Sequence, residues 1–178
     1  IGGVHFFSAE GAGGGPVELL LGRCLDIAAG SCLLAVSAAC WLAAAAAGRA
    51  PRRRIETRHV PGGARAPWPR ALRTDGGNAS DLLNPSLFVY LLRGRLTLTG
   101  PPSLLDAAEL PDGAPPYRPG ITGRWRYDAA GGAREAVEEE LLDMRNRRFT
   151  GDLVTVARSF RGMVAGRYPE WFTRKDER

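Results

Sequence analysis

The 178-residue chain is poor in the side chains that build the commoner small-protein sites. Its three cysteines, Cys24, Cys32 and Cys40, are an odd number confined to the N-terminal region, which argues against a disulfide framework. Its two histidines, His5 and His59, stand far apart with no Cys-x-x-Cys or His-Glu-x-x-His nearby, so a His/Cys metal site is not expected. Lysine is almost absent. Of 24 basic residues only Lys175 is a lysine and the other 23 are arginine. Arginine's planar fork grips two phosphate oxygens at once. The abundance of Ala, Gly and Pro nevertheless points to a GC-rich coding sequence as the main source of the bias. Gly (23) and Pro (13) are frequent but show no three-residue period, which excludes a collagen-like chain. The chain begins at Ile1 rather than Met, as expected of a piece of something longer.

What is present is a partition. Hydrophobic residues make up 44%, charged residues 24%, and mean hydropathy is -0.17, which excludes a wholly disordered chain and fits one domain with an appendage. Charge is missing altogether from Ile27 to Ala47. That run reaches the roughly 20 apolar residues a membrane crossing needs, although Ala dominates it. A buried soluble helix and a cleaved signal peptide are the alternatives. The flank favours the membrane: Arg49, Arg52, Arg53 and Arg54 follow at once and suit a cytoplasmic surface facing anionic lipid. The cysteines recur every eight residues, drift around a helix, and read as small apolar fillers.

Beyond the arginines, Pro61 to Gly77 reads as loop or irregular extended chain. Asn84-Pro85 opens a short apolar helix, with Asn as its cap and Gly94 as its stop. Leu96 to Thr99 alternates like a brief strand, and Pro101 to Gly123 reads as a long loop with short elements. Glu135 to Asp143 reads as a helix with a solvated acidic face. In a last helix, from about Gly151 to Ala165, Leu153, Val156, Ala157, Phe160, Met163 and Val164 form one apolar stripe flanked by Arg158, Arg161 and Arg167. The stripe suits either a core or a bilayer surface with arginines reaching phosphates. Tyr168, Trp171 and Phe172 follow, residue types that favour a membrane interface.

Five segments then stand in a telling order. Arg23 and Asp26 lead into the apolar run, and Leu72-Arg73-Thr74 follows the basic stretch. Arg93-Gly94-Arg95-Leu96-Thr97-Leu98-Thr99-Gly100-Pro101-Pro102 closes the short helix. Arg118-Pro119-Gly120-Ile121-Thr122-Gly123 comes next with Trp125, and last stand Asn146 and Asp152-Leu153. Over roughly residues 21 to 166 this order resembles the bacterial sugar transferases, the monotopic polyprenyl-phosphate phosphoglycosyl transferases. The resemblance implies an α+β, mostly helical fold with an N-terminal membrane helix, re-entrant or spanning, a small cytoplasmic globular domain and an amphipathic C-terminal helix. The expected layout is a tail over 1–20, the membrane helix over 21–48, the domain over 49–166 and a second tail over 167–178. The implied chemistry moves a sugar 1-phosphate from a UDP-sugar to undecaprenyl phosphate with Mg²⁺, at the cytoplasmic face of a bacterial inner membrane. It serves cell-surface polysaccharide biosynthesis of the exopolysaccharide or O-antigen type. Partners are then anionic lipid, polyprenyl phosphate, a UDP-sugar and other proteins of polysaccharide assembly. Arg73, Arg118, Gly120, Thr122 and Gly123 occupy the matched positions and are the candidates for phosphate and substrate binding.

The family's catalytic Asp-Glu pair has no counterpart. The positions before the short helix hold Leu82, Leu83 or Asn84, and the nearest acid, Asp81, stands alone. Pro102, Arg126 and Ala129-Ala130 replace other polar positions, and Ser37-Ala38 replaces the Ser-Pro that bends the family's membrane helix. Backbone-shaping positions are kept and chemical ones are lost. The sequence therefore reads as a sugar-transferase-like domain with impaired or lost transfer. An active enzyme using Asp81 as nucleophile, with Mg²⁺, is the alternative. A basic nucleic-acid binder, suggested by a pI near 9.6, is the reading from another class; no recognition motif supports it, so nucleic acid is not an expected partner.

Overall fold

The computed structural model describes residues 16–60, 65–72, 79–104, 107–111, 117–127, 132–145, 149–169 and 172. Helix outweighs strand in an α+β core. The first helix, α1 (Pro16–Ala46), starts with proline at a position whose N–H has no helical partner in any case, and runs without a break past Ser37-Ala38. It is long and apolar enough to cross a membrane. A hairpin follows, β1 (Arg52–His59) against β2 (Arg65–Leu72), antiparallel with Ile55 opposite Pro69 and Glu56 opposite Trp68. Over Arg65–Leu72 this corrects the loop or irregular extended chain expected there; 61–64 and 73–77 lie outside the described residues. Pro67 and Pro69 cannot donate to a ladder, but a two-stranded sheet has only edges, where proline is tolerated.

A short 3-10 turn, Asp81–Leu83, leads into α2 (Pro85–Leu92), the helix expected after Asn84-Pro85. Asn84 occupies the cap position without capping. Its amide donates instead to Pro69 O at 2.8 Å and ties α2 to β2. Two three-residue strands, β3 (Thr97–Thr99) and β4 (Gly120–Thr122), pair in parallel. An isolated bridge between His59 and Leu104 joins the hairpin to the chain beyond β3. Helices α3 (Ala133–Arg145) and α4 (Phe149–Ala165) complete the fold. Helices α1, α2 and α4 end alike, at Gly48, Gly94 and Gly166 with φ of 69°, 68° and 63°. At each, crossed backbone bonds satisfy the last carbonyls, as in Gly94 N–H to Leu91 O and Arg95 N–H to Tyr90 O.

The core is built on aromatic rings. Trp68, Phe88, Trp125 and Phe172 are buried with Leu87, Leu91, Leu96, Leu98, Ile121 and Met163. The Phe172 ring stacks on Trp125 and Tyr168, at 4.8 and 5.0 Å, and meets Trp68 edge-on at 5.4 Å. Tyr168 and Phe172 thus pack with the protein core rather than at a lipid interface. Trp171 lies outside the described residues. The apolar stripe of α4, open between core and surface in the sequence, divides between the two. Leu153, Phe160 and Val164, with neighbouring Val154, are 42–50% exposed, while Met163 is buried and Val156 half-buried. The helix turns polar Ser159 inward, so most of the expected stripe faces out. In α3, Glu138 and Glu139 are solvated as expected, but Glu140 is buried and accepts from Arg124 N–H.

Candidate functional site

Three of the five matched segments come together around α2 and the β3–β4 pair, while Asn146 lies outside the described residues. At the α2 C-terminus, Arg23 Nη1 donates to Leu91 O at 3.1 Å and Nη2 to Leu92 O at 2.7 Å. Three residues on, and so on the same face of α1, Asp26 accepts from Leu98 N–H at 2.8 Å. Arg23 and Asp26 lie 3.7 Å apart. Their spacing thus serves to clamp α1 onto α2 and β3. Gly30, one turn further, leaves room for the side chains of Leu91 and Leu92.

The segments Arg93 to Pro102 and Arg118 to Gly123 lie side by side. Thr97 N–H donates to Pro119 O, Gly120 N–H to Pro101 O and Gly100 N–H to Thr122 O. A Cβ on Gly120 would overlap the Gly100 backbone, and one on Gly123 would overlap Trp125 and Glu140. The buried Thr122 hydroxyl donates to Leu98 O at 2.6 Å, and Trp125 Nε1 donates to Gly100 O at 3.0 Å. Gly120, Thr122 and Gly123 are therefore occupied in holding the strand pair. Arg118 is half-buried; a Cβ on Gly94 would meet Arg118 Nη1 at 3.5 Å and Arg23 Nη2 at 3.4 Å. Arg73 lies outside the described residues.

Asp81 sits at the other end of α2, in the turn before it. Eight helical residues span about 12 Å, so Asp81 and Arg118 do not face one phosphate-sized site. Asp81 is 2% exposed. One carboxylate oxygen accepts from Arg126 Nη2 at 2.6 Å and the other from the Tyr168 hydroxyl. Burial first, and the carboxylate next, push the Tyr168 hydroxyl pKa up, so it stays protonated and donates. For Arg126 burial works against the charge, but Asp81 and Tyr168 outweigh it and hold its pKa raised. The Arg126 guanidinium also stacks 4.5 Å over the Tyr168 ring. In the sequence Arg126 stands only as a replacement of one of the family's polar positions. Its tie to Asp81, 45 residues away, had no local signal.

A similar network serves the hairpin. Arg58, fully buried, donates to Glu56 at 2.9 Å and to Phe172 O at 3.1 Å, and Arg70 holds the other Glu56 oxygen at 3.0 Å. Burial brings the Arg58 pKa down to about 10, with Glu56 opposing, so it stays charged at neutral pH.

A carboxylate nucleophile must reach a phosphorus atom with an open face. Asp81 is buried and both its oxygens are engaged. The Mg²⁺ that the resemblance implies does not suit these residues either: one acid, already paired with a guanidinium, offers a cation little. In comparisons with known proteins, no family model and no curated sequence matches this chain.

Proposed function

We propose that the chain is a membrane-associated, sugar-transferase-like domain of cell-surface polysaccharide biosynthesis whose own transfer chemistry is impaired or lost. The observation that carries this reading is the sealed Asp81, where a nucleophile would be needed and a structural ion pair is found. The joining of Arg93–Pro102 to Arg118–Gly123 supports the family-like scaffold. The domain would act at the cytoplasmic face of a bacterial inner membrane as a binding or partner subunit. Incubating the detergent-purified chain with UDP-sugars, Mg²⁺ and undecaprenyl phosphate tests it. No UMP release beyond background is expected. Release that disappears in Asp81→Asn supports the active-enzyme reading instead.

The packing of α1 favours membrane association on one side of the bilayer. The domain touches the helix near its start, at Arg23 and Asp26, and near its end, where Arg53 stacks 4.3 Å over the Trp41 ring. These points are about 27 Å apart along the helix, close to the thickness of the hydrocarbon layer. A perpendicular crossing would carry a polar, arginine-rich domain into lipid. The outer half of the helix, left uncovered by the domain, exposes Val17, Leu20, Leu21, Ile27, Val36 and Leu42. An in-plane helix with that half in lipid accommodates both observations. Cysteines introduced at Val17 and Gly48, with the native three replaced, should both label from the same side of sealed vesicles. Labelling from opposite sides indicates a spanning helix.

A further inference from the structure

We infer that α4 and the turn after it form a binding site for a phosphate group, in a cleft separate from the matched sugar-transferase positions. The cleft has a volume of about 320 Å³ and lies beside Arg126, Arg158, Arg161 and Arg167. That is room for about ten water molecules at liquid density, and so for one or two phosphate groups. Among the described residues no carboxylate lines it.

Three of the arginines are exposed, and none of these three side chains has a hydrogen bond or ion pair with a described residue. Arg158 and Arg161 are three apart on α4 and project as neighbours. Arg167 is fixed by the end of the helix. Gly166, with φ of 63°, turns the chain, and Arg167 N–H donates to Gly162 O at 2.9 Å. Gly166 N–H also donates to Met163 O, so two of the carbonyls that would repel an anion are capped. Between these side chains Gly162 leaves the wall open; a Cβ there would meet only Arg167 O, at 3.9 Å.

Arg126 also lines the cleft, held from behind by Asp81. Its side chain is fully buried and spends Nη2 on Asp81, but Nε and Nη1 have no hydrogen-bond partner among the described residues. With Arg126 balanced by Asp81, three positive charges remain. This matches a doubly charged phosphate monoester or a pyrophosphate better than a carboxylate.

The shared ligand chemistry is a phosphate group, carried either by a free nucleotide-like anion or by a lipid head. The uncharged outer face of α4 runs beside Arg161, which keeps the lipid source within reach. The test uses the full chain in a neutral detergent. Inorganic pyrophosphate and a short-chain phosphatidic acid are titrated separately by calorimetry, with short-chain phosphatidylcholine as the control. At least one phosphate probe should bind more tightly than the control. The triple variant Arg158→Gln, Arg161→Gln, Arg167→Gln should weaken it about tenfold or more. Gly162→Met fills the cleft while keeping every charge and should do the same. Removing equal charge elsewhere, with Arg49→Gln, Arg52→Gln and Arg54→Gln, should change affinity less than about twofold. All these positions are solvent-accessible, and an unchanged melting midpoint shows that the variants fold. Binding of pyrophosphate alone assigns a free anion, and binding of the lipid alone assigns a headgroup; either supports the site. Failure of both probes to bind overturns it, as does an equal loss in the control triple or no loss in Gly162→Met.

Discussion

The two ends of α2 are both held by arginine, but in opposite ways. At the C-terminus Arg23 donates directly to the carbonyls of Leu91 and Leu92, where the helix presents its negative end. At the N-terminus Arg126 acts through a carboxylate: it pairs with Asp81, which Tyr168 holds from the other side. The first arrangement is a clamp on the edge of the domain, with Arg23 about one-third exposed. The second is sealed, with Arg126 and Asp81 side chains 0% and 3% exposed. The first asks little of its surroundings, because water can replace what it loses. The second couples three side chains from distant parts of the sequence, so that none can change alone. An acid in such a network is a structural anion, and its place beside a helix N-terminus is no sign of reactivity.

The largest expected effect breaks the sealed end. Arg126→Met leaves Asp81 charged and buried with only Tyr168 beside it, and should cost about 3–5 kcal/mol of stability. Urea unfolding in detergent measures it. Adding Asp81→Asn should recover most of that loss, since a neutral amide is far cheaper to bury. If the double variant is no more stable than the single one, the pair is not the coupled unit described.

This contrast marks what the sequence could and could not reveal. Helix α2 was legible from Asn84-Pro85 and Gly94, because proline and glycine act on the backbone at their own positions. Strand β3 was legible from the alternation of Leu96 to Thr99, whereas its partner β4 lies inside the segment that reads as a long loop, and their pairing had no local signal. The hairpin was hidden, since β1 reads Arg-Arg-Arg-Ile-Glu-Thr-Arg-His with no apolar alternation and β2 carries two prolines. Its stability comes from contacts such as Arg58 with Phe172, 114 residues apart. The apolar period of α4 was visible, but a period does not say which face meets the core. Ser159, which bonds Gly123 O, takes the inward position instead. The Asp81–Arg126–Tyr168 network was invisible for the same reason as the hairpin: its members meet only once the chain has folded.

A smaller effect tests the open end. Arg23→Met removes two charge-assisted hydrogen bonds but keeps the aliphatic stem packed. Because the side chain is about one-third exposed, solvent screening trims the loss to about 1–2 kcal/mol. The loss should appear locally, as faster amide exchange at Leu98, whose partner Asp26 loses its neighbour, while the Trp125 region stays protected. A cost equal to that of Arg126→Met would erase the distinction between the two ends.

The smallest effect separates backbone strain from the clamp itself. Gly94 and Gly48 both adopt left-handed φ, 68° and 69°, at helix ends. A side chain at either position carries the same conformational penalty, about 1 kcal/mol. They differ in surroundings. A Cβ on Gly48 meets nothing within 4 Å, whereas one on Gly94 touches the guanidinium groups of Arg23 and Arg118. Those contacts, at 3.4 and 3.5 Å, are ordinary van der Waals distances and need no displacement. Gly94→Ala and Gly48→Ala should therefore destabilise the chain equally, within a few tenths of a kcal/mol in paired urea titrations. A clearly larger cost at Gly94 means that the two arginines cannot yield there. The C-terminal end of α2 would then be as tightly determined as the end that Asp81 guards.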